Sequence, residues 1–354
     1  MTRRLVQCWV IALSLTVPTF GVSSAVSAAA RASSVAPDQL FGVSCTATAC
    51  QDVGQTGYGQ QGYVARSLSE GATWTSEQLP TSVSNLVSIS CPTRLACFAV
   101  GTEGPHRALV ISTTSGGATW MVRLVPANVG TPQAIACPTS TLCEWFANRP
   151  GGAIVLRTSD GGSRWSAHSL PGSVARVADL SCSSAMVCEG IGSQSASRSV
   201  DVRTINGGLS WSATLLPSDV TSANAIACPA ASTCFALGKS KSLGGIILKS
   251  SNGGTTWKYS AVNGTGGVIS CASITRCVGM ALGPTSLLVL RTSNGGSSWQ
   301  TSNLPNDVTA LSHISCATSM HCVVVGTDAP METHVEVGAT ARTRDGGVTW
   351  SRFR

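Results

Sequence analysis

The chain has little charge and few aromatic residues. Only 11% of its 354 residues are Asp, Glu, Lys or Arg, and 5% are aromatic, three of them tyrosines, whereas globular proteins carry about 25% charged residues. The cations are scattered rather than gathered in a stripe, which argues against nucleic-acid binding. Beyond the first thirty residues no apolar run is long enough to cross a bilayer, so we expect no membrane span in the mature protein.

Residues 1–30 have the pattern of a secretory signal peptide. Arg3 and Arg4 precede an apolar run from Leu5 to Val22, and small residues follow. We expect cleavage near Ala28–Ala30 and a secreted or cell-envelope-associated protein; an uncleaved anchor is the alternative, which Pro18 disfavours. Cleavage removes two arginines and no acid, so the formal net charge falls from +7 to +5. Residues 31–37 would then form a short linker.

One phrase, Ser/Thr-x-[Asp/Asn]-Gly-Gly-x-x-Trp, recurs along the chain about every 46 residues. Its five clean copies are Thr158–Trp165, Thr204–Trp211, Ser250–Trp257, Thr292–Trp299 and Thr343–Trp350. Two degenerate copies are Ser67–Trp74 and Thr113–Trp120. A fixed period of this size indicates a repeat architecture with seven units.

Each repeat contains four candidate strands separated by turns. In one repeat they are Leu86–Ser90, Cys97–Val100, Arg107–Ser112 and Thr119–Leu124. Four short strands in about 45 residues match one propeller blade. We therefore predict an all-β, seven-bladed β-propeller of four-stranded antiparallel blades over residues 38–354. The predicted blades are about 38–80, 81–126, 127–171, 172–217, 218–262, 263–305 and 306–354. No strand is left over to swap between the ends, so we expect the ring to close by packing of blade seven against blade one.

The cysteines show the same period. Of fifteen, Cys8 belongs to the signal peptide and the other fourteen form one close pair per repeat. The pairs are Cys45/Cys50, Cys91/Cys97, Cys137/Cys143, Cys182/Cys188, Cys228/Cys234, Cys271/Cys277 and Cys316/Cys322. Strand-like runs flank each pair, so the two cysteines would face each other across a hairpin within disulfide range. Zinc binding is the alternative, but two ligands per repeat make an incomplete site. We predict seven disulfides and no metal.

The repeated phrase has the residues of a tight turn. Its hydroxyl and its Asp or Asn side chain can bond neighbouring backbone groups, Gly-Gly allows positive φ, and the Trp can pack onto the blade. On these seven copies the chain resembles the Asp-box (BNR) repeat propellers, a WD40/YVTN/BNR-like superfamily that includes sialidases, other glycan-cleaving hydrolases and photosystem II stability/assembly-factor-like proteins. One Cys-x5-Cys per blade is similar to secreted bacterial members. Only Asp160 and Asp345 keep the acid of the family.

The predicted blades sort their loops onto two faces. The disulfide turns and the Gly-Gly turns fall on one face, and the loops between second and third strands fall on the other, where ligands usually bind. Blade seven is the longest, and in an extended strand its Glu332, His334 and Glu336 would share one side. Such a group could bind a metal or perform acid–base chemistry. A solvated, lengthened hairpin is the alternative.

Three further sets of polar residues are candidates for binding. A site shared with blades one and two, as opposed to unrelated loop residues, would add Tyr58, Tyr63, Glu103, His106 and Arg107. A basic sector on blades three to five, attractive to an anionic polymer unless solvent screens it, would contain Arg149, Arg198, Lys239 and Lys241. A cation before the repeated phrase recurs as Arg66, Arg157, Arg203, Lys249, Arg291 and Arg342. We interpret this last series as strand positions that face water, with a docking surface for an acidic partner as the alternative.

The residues favour binding over catalysis. The resemblance to sialidases implies a tyrosine nucleophile with a glutamate partner, but the Arg-Ile-Pro signature is missing and no tyrosine has an obvious glutamate in sequence. Glu103 and Glu332 are the best carboxylate pair for a glycosidase. We predict a secreted, non-catalytic, monomeric propeller without a cofactor, which binds an extracellular protein or an envelope glycan and no nucleic acid. A sialidase-like glycoside hydrolase is the alternative.

Overall fold

The computed structural model describes residues 37–57, 60–172, 174–195, 198–284, 286–304, 310–328 and 337–352. Over these residues the chain forms 28 β-strands in seven four-stranded antiparallel sheets. The strands follow one another in chain order within every sheet. Among the described residues no helix has the length and apolar character needed to span a bilayer. The predicted all-β, seven-bladed propeller is confirmed.

The strands are described by their position in the sheet. The first strands are β1 (Gln39–Cys45), β5 (Asn85–Ser90), β9 (Thr131–Ala136), β13 (Arg176–Cys182), β17 (Val220–Ala230), β21 (Thr265–Cys271) and β25 (Ala310–Cys316). The second strands are β2 (Cys50–Thr56), β6 (Cys97–Glu103), β10 (Cys143–Arg149), β14 (Cys188–Ser195), β18 (Thr233–Ser240), β22 (Cys277–Leu282) and β26 (Cys322–Asp328). The third strands are β3 (Gln61–Ser67), β7 (Arg107–Thr113), β11 (Gly152–Thr158), β15 (Arg198–Thr204), β19 (Gly244–Ser250), β23 (Leu287–Thr292) and β27 (Val337–Thr343). The fourth strands are β4 (Thr75–Ser76), β8 (Met121–Arg123), β12 (Ser166–Ser169), β16 (Ser212–Leu215), β20 (Lys258–Ala261), β24 (Gln300–Asn303) and β28 (Ser351–Arg352).

All seven predicted disulfides are present. Each links the first and second strands of one sheet, with S–S distances of 2.01–2.12 Å and Cα–Cα distances of 3.9–4.1 Å. The zinc-binding alternative does not apply to these fourteen cysteines, because each forms a disulfide with the other cysteine of its pair. Seven disulfides in one domain are typical of a protein that resides in an oxidising compartment.

The repeated phrase forms the same hydrogen-bonded turn in every blade. Its Ser or Thr hydroxyl accepts the N–H of the second glycine at 2.8–3.1 Å. The side chain at its third position accepts the N–H four residues further on at 2.9–3.0 Å. One acceptor oxygen is enough for this bond, so Asp, Asn and Ser serve equally. Glu70, which replaces the first glycine in blade one, adopts a φ of 56°.

The two kinds of turn lie on one side of the ring, as predicted. The N–H of the first glycine of the phrase donates to a carbonyl in the disulfide turn of the same blade. The pairs are Gly116 to Leu95, Gly161 to Thr141, Gly207 to Met186, Gly253 to Ser232, Gly295 to Thr275 and Gly346 to Met320, at 2.9–3.0 Å. We call this side the turn face. The opposite side, which carries the hairpins between second and third strands, is the hairpin face.

Five of the seven junctions between blades are joined by a serine that precedes the first cysteine; the other two have Ala136 and Ala227 at this position. Its hydroxyl accepts the backbone N–H of the equivalent cysteine in the next blade. The bonds run from Cys91 to Ser44, Cys137 to Ser90, Cys228 to Ser181, Cys316 to Ser270 and Cys45 to Ser315, each 3.0 Å long. The last bond joins blade seven to blade one. In the described residues the first and last sheets contain only their own consecutive strands, which agrees with closure by packing.

The cation before the phrase also joins blades. Arg66, Lys249 and Arg342 donate to carbonyls in the Gly-Gly turn of the next blade at 3.1, 2.6 and 2.9 Å. Arg157 does the same, and Arg203 reaches the neighbouring disulfide turn. These five residues are half-buried, so they are interblade contacts as well as positions that partly face water. A docking surface for an acidic partner stays a prediction.

We expect Ser315→Ala to weaken the junction where the ring closes. The change leaves the Cys45 N–H without its acceptor at 3.0 Å, and loss of one such bond costs about 1 kcal/mol. The free energy of unfolding of the oxidised protein, measured by urea titration, is the test. Ser312→Ala, on the same strand, is the matched control. Equal stabilities for the two variants would show that the serine bond does not hold the junction.

Candidate functional site

The first strands of all seven sheets surround a central channel. Each contacts the first strand of the next sheet, and β25 contacts β1. One cavity of about 290 Å³ and another of about 300 Å³ are lined by residues of these strands. Gln39 pairs with Gln55 near the hairpin face, whereas Cys45 pairs with Cys50 at the turn face. The first cavity therefore opens towards the hairpin face and the second towards the turn face.

Every first strand carries a β-bulge at the same level of the channel. At this level one residue of the first strand, or two in β21, has no partner in the second strand. The part of the strand that leads to the turn face follows. The skipped residues that line the cavity nearer the hairpin face are Phe41, Val87, Gln133, Ala178, Asn224, Gly267 and Ser312. A bulge redirects a side chain away from the regular alternation of a strand. Six different side chains and one glycine thus form the wall of the channel near its hairpin-face end, and we call these seven residues the bulge ring.

Two ionisable groups lie where the two cavities meet. Asp179 and His313 line both of them. The Asp179 carboxylate accepts the N–H groups of Leu180 and Ile226, both at 2.8 Å. Burial raises the pKa of Asp179 although His313 opposes this, and burial lowers the pKa of His313 although Asp179 opposes it. Nδ1 of His313 is buried and has no hydrogen-bond partner, so an unsatisfied polar atom lies where the two cavities meet.

The channel residues were not among the binding residues predicted from the sequence. The signal was present, because the position two residues after the bulge is a buried Val, Ile or Leu in every blade, while the bulge itself holds Phe, Val, Gln, Ala, Asn, Gly or Ser. A position that varies inside an otherwise regular repeat is free of the packing rule that fixes its neighbours.

Three of the predicted ligand residues lie together on blade two. Glu103 and Arg107 form an ion pair of 2.7 Å at the start of the hairpin-face turn. Both line a cavity of about 390 Å³ together with His106, the strand β8 and the segment that leads to Gly130. The structure thus brings Glu103, His106 and Arg107 to one place, and a binding role for them remains a prediction.

The other residues of the predicted polar site are placed differently. Tyr63 is buried in the cluster between blades one and seven, beside Leu40 and Val325. Tyr58, Glu332, His334 and Glu336 lie outside the described residues. The carboxylate pair of Glu103 and Glu332 lies partly there too, so the glycosidase alternative gains no geometric support.

The basic sector lies on the hairpin face as expected. Arg149 ends β10, Arg198 begins β15, and Lys239 and Lys241 flank the end of β18. All except the half-buried Arg198 are exposed. Attraction of an anionic polymer to this sector remains a prediction.

Tyr259 has an acidic neighbour that its sequence context did not show. Its hydroxyl donates to Oδ2 of Asp219 at 3.1 Å, and Ser242 donates to the same oxygen at 2.6 Å. Burial and the Asp219 carboxylate raise the pKa of Tyr259. A tyrosine nucleophile needs a lowered pKa or a base that removes its proton. Asp219 lies within reach of this proton, but its hydrogen bond from Ser242 lowers the pKa of its carboxyl group, which makes it a weak base for a tyrosine whose pKa is raised.

Among the described residues, two groups bring three metal-ligand side chains close together: Glu144 with Cys182 and Cys188, and Glu189 with Cys228 and Cys234. Their cysteines are bonded in disulfides. The sulfurs are therefore not the thiolates that bind metal ions.

The fold and its channel place the chain in the class of seven-bladed β-propellers. No protein-family model and no curated protein matches the sequence. Solved structures share the fold. YCF48 from Cyanidioschyzon merolae has 16% identity and a TM-score of 0.64, over 86% of this chain and 96% of that one. A structure of YCF48 bound to D1 peptide has 15% identity and a TM-score of 0.63, over 87% and 94%.

A glycan-cleaving enzyme shares the architecture as well. The GH74 xyloglucanase of Xanthomonas campestris has 10% identity and a TM-score of 0.59, over 90% of this chain and 68% of that one. A propeller that binds a peptide and one that cleaves a glycan are thus both similar to this chain. At such low identities the likeness establishes the fold and leaves the activity to the residues themselves.

Proposed function

We propose that the protein is a secreted, non-catalytic propeller that binds an extended segment of an extracellular protein at the bulge ring. The observation that carries the proposal is the set of seven non-repeating residues, six of them with side chains, around a cavity of about 290 Å³. Apolar Phe41 and Val87 come from the adjacent blades one and two, and the amides of Gln133 and Asn224 come from blades three and five. Apolar walls with a few polar groups are the usual composition of a binding pocket.

A protein segment fits this wall better than a glycan does. Phe41 is the one aromatic side chain among the bulge residues, whereas the other members are small, aliphatic or amide groups. The structure of YCF48 with D1 peptide supports the proposal, since it is a propeller of this fold with a bound peptide. The basic sector on the same face would attract acidic parts of such a partner and speed its association.

Secretion is part of the proposal. The amino-terminal Arg3, Arg4 and apolar run support it, and so do the seven disulfides, which persist in oxidising compartments. An envelope glycan is the alternative ligand, and a binding experiment can distinguish it from a protein segment.

Selection of peptides from a displayed library on the immobilised, oxidised protein is expected to yield binders. Phe41→Ala and Asn224→Ala should each weaken a selected peptide about tenfold, which corresponds to about 1.4 kcal/mol for a central contact. Leu209→Ala, in a Gly-Gly turn on the turn face where the side chain is 66% exposed, is the matched control and should leave the dissociation constant unchanged.

The results can also exclude the proposal. Peptides that bind equally to all three variants would place the site elsewhere. Binding of cell-wall oligosaccharides without peptide binding would favour the glycan. Hydrolysis of a fluorogenic glycoside that Glu103→Gln abolishes would establish the enzyme alternative.

A further inference from the structure

Two disulfides of the ring have a buried carboxyl group beside them. The residue after the second cysteine of each blade faces the disulfide of the next blade. At this position the chain has Gln51, Phe98, Glu144, Glu189, Phe235, Val278 and Val323. Glu144 therefore adjoins Cys182–Cys188, and Glu189 adjoins Cys228–Cys234. The other five disulfides have an amide or an apolar side chain there.

The contact at Glu189 is close and directional. Its Oε2 lies 2.9 Å from Sγ of Cys234 and 3.9 Å from Sγ of Cys228. A disulfide sulfur has no proton to donate, so this contact is a hydrogen bond when the carboxyl group carries the proton. Burial raises the pKa of Glu189 to about 7 despite Arg203, whose Nε lies 3.2 Å from Oε1. The neighbouring Asp201 is buried as well and its pKa is raised further.

The two sulfurs differ in access. Cys228 lines the cavity of about 300 Å³ at the turn-face end of the channel. It is 7% exposed, whereas Cys234 is fully buried. A small thiol that enters the channel reaches Cys228 first, and the sulfur that would leave is the one against Glu189.

We propose that Cys228–Cys234 is a redox-active disulfide that exchanges with low-molecular-weight thiols, with Glu189 as its proton donor. An external thiolate attacks Sγ of Cys228 and forms a mixed disulfide, while the Cys228–Cys234 bond breaks. Cys234 leaves with the electron pair and takes the proton from Oε2 of Glu189. A second thiolate attacks the external sulfur of the mixed disulfide and releases the oxidised external disulfide. Cys228 then takes a proton from water, and so does Glu189.

The ring contains a matched control for this reaction. Cys137 is 7% exposed and lines the same cavity, and Cys143 is fully buried. The exposed fractions thus equal those of Cys228 and Cys234. The neighbour of this disulfide is Phe98, which cannot supply a proton. Any difference in reactivity between the two disulfides therefore reports the carboxyl group rather than access.

The test is reduction of the folded, oxidised protein by glutathione, with iodoacetamide trapping and mass spectrometry of each cysteine pair. We compare rates that are divided by the concentration of glutathione thiolate. Below pH 7 we expect Cys228–Cys234 to react about a hundredfold faster than Cys137–Cys143, because general-acid catalysis accelerates a reaction at least about a hundredfold. The advantage should fall above pH 7, as Glu189 loses its proton. Cys182–Cys188, beside Glu144, should react faster than Cys137–Cys143 too.

Glu189→Gln should reduce the rate at Cys228–Cys234 to that of the control pair and leave Cys137–Cys143 unchanged. Equal rates for the two disulfides in the wild-type protein would overturn the proposal without any variant. So would an unchanged rate in a folded Glu189→Gln protein.

Discussion

Raising the pH from 5 to 8 is expected to lower the free energy of unfolding of the oxidised protein by several kcal/mol. Glu144 and Glu189 are almost completely buried, and burial raises the pKa of each from 4.5 to about 7. Arg157 and Arg203 oppose this shift without cancelling it. The folded protein therefore binds a proton at each carboxyl that the unfolded chain has already released.

The sign follows from this difference in bound protons. The stabilisation is fully present below about pH 4.5 and is lost as the pH rises through about 7. Each carboxyl contributes about 3 kcal/mol, since one pKa unit corresponds to about 1.4 kcal/mol. His313 has a lowered pKa and acts in the opposite direction below its unfolded value, so the comparison with a variant isolates the two glutamates.

Urea titrations at pH 5 and pH 8 measure the effect. The double variant Glu144→Gln/Glu189→Gln should lose the part of the pH dependence that these two groups cause and gain stability relative to the wild type at pH 8. Asp201 and Asp179, whose pKa values burial also raises, should keep the rest. Glu103→Gln, which removes an exposed carboxylate, is the control and should keep the wild-type slope. A double variant that retains the full slope would show that other groups take up the protons.

Trp145→Ala is expected to destabilise the protein by about 3–5 kcal/mol, as for other large aromatic side chains in cores. Trp145 is fully buried, and its ring meets that of Trp165 edge to face, with centroids 6.4 Å apart. Its cluster includes Phe98 and Val100 of the preceding blade, so the cavity would open between two blades.

Leu124→Ala is the control for Trp145→Ala. Nε1 of Trp145 has no hydrogen-bond partner, so truncation removes packing alone. Leu124→Ala, where the side chain is 81% exposed, should change stability by less than about 0.5 kcal/mol. A loss below about 1 kcal/mol for Trp145→Ala would mean that the blades collapse to fill the space.

The sequence contained enough to predict the blades, the disulfides and the turn face, because each depends on residues that recur at fixed spacing. The third position of the phrase shows why Asp, Asn and Ser can replace one another, since the turn uses one oxygen. The contacts between blades were harder to predict. Arg66 and Arg342 resemble surface cations in sequence, and only the arrangement of neighbouring turns shows that they donate to carbonyls.

The candidate site was also beyond simple pattern reading. Strand alternation assigns Phe41 to one side of its sheet, whereas the bulge places it at the channel. Asp179 and His313 come from blades four and seven, far apart in sequence. Only the closed ring brings them to the place where the two cavities meet.

The serine bond between blades has a topological consequence. Cys45 and Ser315 form the same bond across the ends of the chain that Cys91 and Ser44 form across a continuous junction, at the same 3.0 Å. Among the five junctions that have this bond, the one where the polypeptide starts and stops is thus no different from the others. These bonds therefore do not depend on where the chain begins. A circular permutant that began at any interblade link would reproduce every one of them.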